Sequence, residues 1–413
     1  MISHLIQNVK LFLDDKPSIF ALREKAKDAL IKTGFPTKKT EAWKYTNVEE
    51  ILKANLIVNT KDTTCDHSCC HEKNDTPFIE INFCNGQLHV EDYTLPKGLI
   101  VQPLPLALYE NEYKKYIFNS FNLEDHPFAA LNGIYLEQGL CIQAEKGTKL
   151  TKPIRITYNN NVCNNLQLNI HNIFIAEKES SLEIIEEYRS KNNQTHLTNI
   201  VNEIYLGPQA TLNHYKIQKE DISAYHLALN AVKQQKESSY KQFYLSDGAK
   251  ISRQETIVNL EQPDSKTEIY SAYKAKKDCL NDITTNVYHL VKDTTSNQYA
   301  KAVLEENSTA VFQGKIHISP NAINTDGHQL HRALYLDDTA SLNCKPELEI
   351  YADNVKCSHG ASSGGINEEQ LFYLKSRGIK HDDAIKILTK AHMEEIFAFI
   401  PNKCIKELFF FSE

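Results

Sequence analysis

The segments Gly147-Thr-Lys-Leu150, Ser180-Ser181-Leu182, Ala210-Thr211-Leu212, Gly248-Ala249-Lys250-Ile251, Asp278-Cys279-Leu280, Thr309-Ala310-Val311 and Ala340-Ser341-Leu342 decide the fold. Each is a small or polar turn followed by an apolar residue. The apolar positions step by 32, 30, 39, 29, 31 and 31 residues. From about Gly133 to Gly365 helical periodicity is weak and period-two alternation is common, as in Leu166-Gln-Leu168-Asn-Ile170. A near-constant step in all-strand sequence points to a solenoid of stacked strands. The step of 39 then reads as a coil holding a loop insertion. A β-sandwich also repeats its turn signals and stands as the alternative.

Outward from this core the chain turns helical on both sides. Pro17 suits a first helical turn, Ile19, Leu22, Ala26, Ala29 and Leu30 recur at helical spacing, and Gly34 and Pro36 end the run. A second short helical stretch is expected over Thr46 to Leu52, then a polar loop over 54–76. Short strands follow at Phe78-Ile79-Glu80-Ile81 and Gln87-Leu88-His89-Val90, with a helical insert around Leu106 to Phe121. After Gly365, Asn367 and Gln370 fit a capping pair ahead of Leu371, Phe372 and Leu374, and Gly378 suits the helix end. Asp382 or Asp383 opens a second helix with Ala384, Ile385, Leu388, Ala391, Ile396 and Phe397 as its apolar set, stopped by Pro401. The apolar tail Leu408-Phe409-Phe410-Phe411 needs cover from this domain or a partner. The expected organisation is a helical region and loop over 1–76, a mixed α/β connection over 77–132, a solenoid over 133–365 and a helical module over 366–413. A solenoid exposes open ends, and helical modules at both termini would cap them.

Composition narrows the function classes. With 41% hydrophobic and 24% charged residues among 413, the chain reads as globular and soluble. No apolar run approaches the roughly 18–20 residues of a membrane helix. The N-terminus lacks a basic region followed by a long apolar core, so no export signal is read. Ten cysteines in so long a chain then read as reduced thiols of a cytoplasmic protein. A net charge of −7 without a basic stripe argues against nucleic acid. No Gly-x-x-x-x-Gly-Lys-Ser/Thr loop is present, so any use of ATP belongs to a partner. Ser362-Ser363-Gly364-Gly365 lacks the following lysine and reads as a turn.

Two groups of residues could carry chemistry. Cys65, His67, Cys69, Cys70 and His71 crowd soft-metal donors into seven positions, but so tight a spacing strains a closed tetrahedral site. The plain alternative is a polar loop with incidental thiols. The second group lies along the last strands: His317, His328, His331, Cys344, Cys357 and His359. His328 and His359 differ by 31 positions, one local step, which would set them on adjacent coils about 4.8 Å apart. Cys357 and His359, two apart on a strand, share a face, and an adjacent imidazolium would favour the thiolate. By pattern alone, each histidine reads more readily as an ordinary surface or core residue than as a ligand.

The run Lys345-Pro-Glu-Leu-Glu-Ile-Tyr-Ala-Asp-Asn-Val-Lys-Cys357-Ser-His359-Gly-Ala361 resembles the signature of the SufB/SufD family, subunits of the SUF machinery that builds iron–sulfur clusters. Leu371-Phe372-Tyr373-Leu-Lys-Ser-Arg377-Gly378-Ile379, Phe312-Gln-Gly314-Lys-Ile316, Asp326-Gly-His328-Gln329 and Glu41-Ala-Trp43-Lys-Tyr-Thr46 are similar to family patterns too. The resemblance implies a right-handed parallel β-helix with helical ends and a scaffold without turnover of its own. It implies pairing with SufB, and a C-terminal module that binds the SufC ATPase through Leu371, Phe372, Tyr373, Arg377 and Gly378. It further implies a transient cluster or iron held at the SufB seam, with His359 a ligand, Cys357 beside it and His328 a weaker candidate. No tightly bound cofactor is expected on the lone chain, which could form a homodimer when isolated. SufB looks to carry a sulfur-accepting cysteine near the segment aligned with 324–331. Asn324-Thr-Asp-Gly-His-Gln-Leu-His331 has none, which places the chain on the SufD side. Two other readings stand: a SufB-like homomeric scaffold, and a β-helix enzyme acting on polysaccharides. The missing export signal and the C-terminal helices speak against the enzyme.

Overall fold

The computed structural model describes residues 17–58, 76–89, 95–160, 165–190, 193 and 195–411. Its first part comprises α1 (Pro17–Thr33), a 3-10 turn at Glu41–Trp43, α2 (Glu49–Lys53), β1 (Ile57–Val58), β2 (Ile79–Cys84), β3 (Gln87–His89) and β4 (Leu99–Pro103). Then come α3 (Leu104–Tyr109), α4 (Asn111–Lys114), a 3-10 turn at Leu123–Asp125 and α5 (Pro127–Tyr135). The strands that follow are β5 (Leu140–Ala144), β6 (Ile154–Asn160), β7 (Leu166–Ala176), β8 (Ser181–Ser190), β9 (Leu197–Leu206), β10 (Thr211–Lys219), β11 (Tyr225–Gln234) and β12 (Ser239–Asp247). They continue as β13 (Ile251–Leu260), β14 (Lys266–Ala275), β15 (Leu280–His289), β16 (Thr295–Leu304), β17 (Thr309–Ile318), β18 (Asp326–Tyr335), β19 (Ser341–Ile350) and β20 (Lys356–Gly365). The chain closes with α6 (Glu368–Ser376), α7 (His381–Phe397) and α8 (Lys403–Lys406). No helix among the described residues is long and apolar enough to cross a membrane.

The strands form two facing parallel stacks, so the fold is a parallel β-solenoid. Odd strands from β5 to β19 build one sheet and even strands from β6 to β20 the other. Consecutive strands therefore lie in opposite sheets, and each coil contributes one strand to each. The repeat predicted this, but the step of 39 has another cause than an insertion. Leu212 on β10 is in register with Tyr240 on β12, whereas Ile251 lies in the other sheet and is in register with Leu280. Both corners of a coil use similar turn chemistry, so a turn pattern can jump from one face to the other. The corners take left-handed backbone at Asp264, Asp293, Asn324 and Asn354, with φ of 63, 58, 60 and 55°. Asn and Asp tolerate that conformation best among residues with a side chain.

The lumen is filled by polar side chains as well as apolar ones. Asn172 Nδ2 donates to Asn202 Oδ1 and Asn202 Nδ2 to Asn230 Oδ1, each at 2.9 Å, so three coils are stitched by one amide ladder. The buried Glu186 carboxylate accepts from Tyr188 Oη at 2.7 Å and Asn202 Nδ2 at 2.8 Å, with His214 Nε2 at 2.7 Å and Lys216 Nζ at 3.6 Å. Burial would raise its pKa, but Lys216 and His214 outweigh burial and hold it at about 2. Buried polar groups persist when each finds partners, and this network satisfies that condition.

Helices cover the outer faces. The N-terminal group packs on the odd sheet through Leu30, Trp43, Ile51 and Ile134 against Leu197, Leu227 and Ile251. The Trp43 ring lies 4.2 Å from the buried Arg253 guanidinium, which also pairs with Asp282. The C-terminal module packs on the even sheet through Met393, Ile396, Phe397 and Phe409 against Tyr215, Phe243 and Tyr270. The tail is thus covered by the chain itself at Phe409, while Phe410 stays exposed.

Several local expectations need correction. Ser362-Ser363-Gly364-Gly365 is no turn: it ends β20, in register with Arg332, Ala333, Leu334 and Tyr335. Glycine and serine read as turn residues, but the ladder to β18 overrides that preference. Residues 127–135 form α5, which was not expected, and the first solenoid strand begins at Leu140. Cys84 is disulfide-bonded, so reading all ten cysteines as free thiols fails there. Cys141, Cys279, Cys344, Cys357 and Cys404 are free.

Candidate functional site

The solenoid ends at β19 and β20, each paired on one side only within its sheet. Their outer edges carry unpaired backbone groups, a template for another chain. Inner strands such as β9 and β11 are almost wholly buried, whereas β20 is mostly exposed along its length.

Side chains alternate between lumen and exterior. On β18 the buried Gly327, Gln329, His331 and Ala333 face inward, in register with Cys357, His359, Ala361 and Ser363 on β20. Cys357 and His359 thus share the lumenal face of the last coil, as their spacing required. Cys357 joins an apolar cluster with Ile316, Ile318, Leu348 and Val355, and a Cβ placed on Gly327 would lie 3.6 Å from its Sγ. Burial pushes the Cys357 thiol up, only partly opposed by a hydrogen bond with the Gly327 backbone. The expected thiolate-favouring imidazolium is therefore not what sets this thiol. The His359 side chain is exposed and makes no hydrogen bond or ion pair with the described residues.

Gln329 lies in register with His359 and spans the lumen beneath it. Its Nε2 donates to the Glu347 backbone carbonyl at 3.3 Å, tying β18 to β19 across the core. That crossing needs Gly314, because a Cβ there would stand 2.2 Å from Gln329 Oε1. This explains the glycine in Phe312-Gln-Gly314-Lys-Ile316.

The predicted adjacency of His328 and His359 does not occur. His328 is in register with Ser358, and His359 with Gln329, so the two rings lie on opposite faces of the sheet. The coil step is even at this rung, and an odd separation of 31 therefore flips the face. Outside, His328 Nδ1 meets Ser358 Oγ at 2.6 Å and its Nε2 meets Asp326 at 2.7 Å. The other members are also dispersed. His331 is buried, bonded through Nε2 to Tyr273 Oη at 2.7 Å and stacked on Phe312 at 4.8 Å. Burial drives its pKa down to about 3. Burial likewise pushes the Cys344 thiol up to about 11. His317 sits outside on β17, paired to Glu349 at 2.9 Å between the Tyr288 and Tyr351 rings. Among the described residues no three His, Cys, Asp or Glu side chains are placed to hold a metal ion. Cys65, His67, Cys69, Cys70 and His71 lie outside the described residues.

The C-terminal module starts two residues after β20. Asn367 caps α6, its Oδ1 accepting from the Gln370 N–H at 2.9 Å, and Gly378 ends it with φ of 84°. Of the five expected partner contacts, Leu371 is buried within the lone chain. Gly378 serves the turn. Phe372 and Tyr373 are 74% and 57% exposed, and Arg377 stacks on the Tyr373 ring at 5.2 Å. Phe372 and Tyr373 form a pair of large exposed aromatic side chains on α6. Sequence reasoning missed Glu395 on α7, which meets Tyr299, Lys301 and Arg332. No local pattern reports a contact that spans some ninety residues of chain.

Comparison with known proteins adds an independent line. Residues 158–392 match the family model described as SUF system FeS cluster assembly, SufBD core domain, and residues 5–156 match that of the SufBD protein N-terminal region. The chain is 28% identical to the iron–sulfur cluster assembly protein SufD of Escherichia coli K12, over 92% of this chain and 88% of that protein. It is 28% identical to Protein ABCI7, chloroplastic, of Arabidopsis thaliana, over 94% and 83% of the two chains. An iron–sulfur cluster assembly SufBD family protein of Synechocystis is 28% identical over 92% and 87%.

Proposed function

The chain belongs to the SufBD family of iron–sulfur cluster assembly proteins, and from that premise we propose that it acts as a SufD-type scaffold subunit. Its partners in this reading are SufB, at the open end of the solenoid, and the SufC ATPase, on α6. The absence of cysteine over 324–331 and the Trp43 motif favour the SufD type over the SufB type.

One observation carries the proposal: the last coil presents His359 exposed and unengaged beside Cys357, on a strand with an open edge. One imidazole and one protonated thiol are too few ligands for an iron ion or a cluster. The rest must come from a chain that docks on that edge, so iron and sulfide are cargo captured at a seam between subunits. His359 supplies an imidazole nitrogen. Cys357 becomes a ligand only after losing its proton, which metal binding itself promotes. ATP hydrolysis belongs to SufC.

Co-expression of the tagged chain with SufB and SufC from the same genome tests this. A complex holding one copy of this chain, one SufB and a SufC pair is expected from its mass. A chain that ignores both partners and, after anaerobic reconstitution, holds a stoichiometric cluster as a homodimer would instead establish the SufB-like homomeric scaffold.

A further inference from the structure

The C-terminal module is attached to the solenoid unevenly along α7. Ala384 is buried, but none of residues 385–392 is; burial resumes at Met393, Ile396 and Phe397. Only the last part of α7, with Ile400, Ile405 and Phe409, rests on the even sheet. No residue of α6 or of the first part of α7 belongs to the apolar cluster that seats the module on the even sheet.

Glu395 sits at the point where α7 meets the sheet. Its carboxylate accepts from Tyr299 Oη at 2.9 Å, pairs with Lys301 Nζ and lies 4.0 Å from Arg332 Nη1. Lys301 is only 2% exposed and also donates to the His392 carbonyl at 2.9 Å. No other carboxylate pairs with Lys301 among the described residues. Lys301 on β16 is in register with Arg332 on β18, and Arg332 with Ser362 on β20. The rung that Glu395 grips therefore runs directly into the terminal strand that bears Cys357 and His359.

We infer that Glu395 is the lock that seats the C-terminal module on the site-bearing end of the solenoid, with α6 and the first half of α7 swinging about it as a cantilever. A load on Phe372 and Tyr373 then reaches β20 through the short joint at Ile366-Asn367 and through the seat of α7, where the Glu395 rung adds a directional polar tie to the apolar packing of Met393, Ile396 and Phe397. Losing the lock leaves the joint and that apolar packing, and the module's position reports less strictly on the last coil. The functional meaning rests on α6 carrying the ATPase partner, as proposed above; the lock itself does not.

Hydrogen exchange on the full-length chain alone tests the lock, so its failure is separate from any failure of the partner assignment. Glu395→Gln keeps the side-chain shape and removes the charge. Amides of 381–397 are expected to exchange about tenfold faster, with 225–260 unchanged. That result alone would also follow if Glu395 merely neutralised a buried cation. The double variant Lys301→Met with Glu395→Gln separates the two, since it leaves no buried charge to compensate. A lock predicts exchange that stays fast; return to wild-type exchange would overturn the inference. Tyr299→Phe, which leaves Lys301 paired, supplies a variant certain to keep the ion pair, and it should speed the same amides by a smaller factor. Wild-type exchange in both Glu395→Gln and Tyr299→Phe would also overturn it.

Discussion

At the scale of single residues, the terminal coil separates groups that look equivalent in the sequence. His331 is locked to Tyr273 in the core, His328 is tied between Asp326 and Ser358 outside, and His359 is left unengaged. Substituting His359 by Ala removes no buried contact, so folding and complex mass should be unchanged. Cluster yield from the three-subunit complex, read by its visible absorption and by iron content, should fall close to background. Normal yield would remove His359 from the site. His331 makes the opposite case. Its folded pKa is lowered to about 3 by burial, while an unfolded histidine titrates near 6.5. Below pH 6.5 the unfolded chain binds a proton that the folded chain refuses. The stability this histidine contributes is therefore complete above pH 6.5 and is lost as pH falls toward 3. Urea unfolding of His331→Gln should show a slope against pH between 6 and 4 that is shallower by about 1.4 kcal/mol per unit. An unchanged slope would mean that the ring is protonated in the fold.

At the scale of elements, α6 is a short helix with few buried residues, so its cap matters. Asn367→Ala deletes the bond to the Gln370 N–H and should cost about 1 kcal/mol locally. Faster amide exchange over 368–376 would report it, with the solenoid unaffected. Replacing Phe372 and Tyr373 together by Ser should leave the melting temperature within a degree or two, because both side chains face solvent. Capture of the ATPase partner should fall by at least tenfold; undiminished capture would place that interface elsewhere. Much at this scale is legible in sequence: the Asn367 cap, the Gly378 stop, the helical ends and the strand-built middle all follow from local chemistry. What fails is register. A turn motif near every thirtieth residue does not say which of two faces it belongs to, so the jump from Leu212 to Ile251 looked like an insertion. The same ambiguity by one residue put His328 beside His359, when the ladder sets His328 beside Ser358. Side-chain alternation makes a one-residue error a change of face. The Glu395 contact, the Arg253–Trp43 stack and the lumenal amide ladder were illegible because each joins residues distant in the chain.

At the scale of the molecule, the lumen ties stability to pH through groups buried along most of its length. Glu186 in the N-terminal coils and Glu255 at the helix-covered face are both held at about 2, burial being outweighed by Lys216 and His214 in one case and by His126 and Arg253 in the other. Glu203 and Glu220 are lowered too, against burial, by His171 and by His226 with His196. These carboxylates contribute stability above the unfolded pKa of about 4.3, and it is lost as pH falls toward the folded values. Burial also lowers His289 and His392 to about 4, adding to His331 a loss that begins near pH 6.5. The two windows run in the same direction. The melting temperature should be flat from pH 8 to 7, decline as the pH falls below about 6.5, and fall more steeply below about pH 4.5, where the carboxylates add to the histidines. A solenoid contacts itself mainly between neighbouring coils, so the acid-sensitive groups also decide where unfolding starts. His289, His331 and His392 belong to β15, β18 and α7 and lose their contribution from pH 6.5 downward, before the carboxylates of β8 to β10 do, so acid should open the C-terminal coils first. Exchange measured after brief exposure to pH 5 should therefore accelerate over 280–365 before it does over 181–234. The reverse order would mean that the carboxylate network, not the buried histidines, governs acid unfolding.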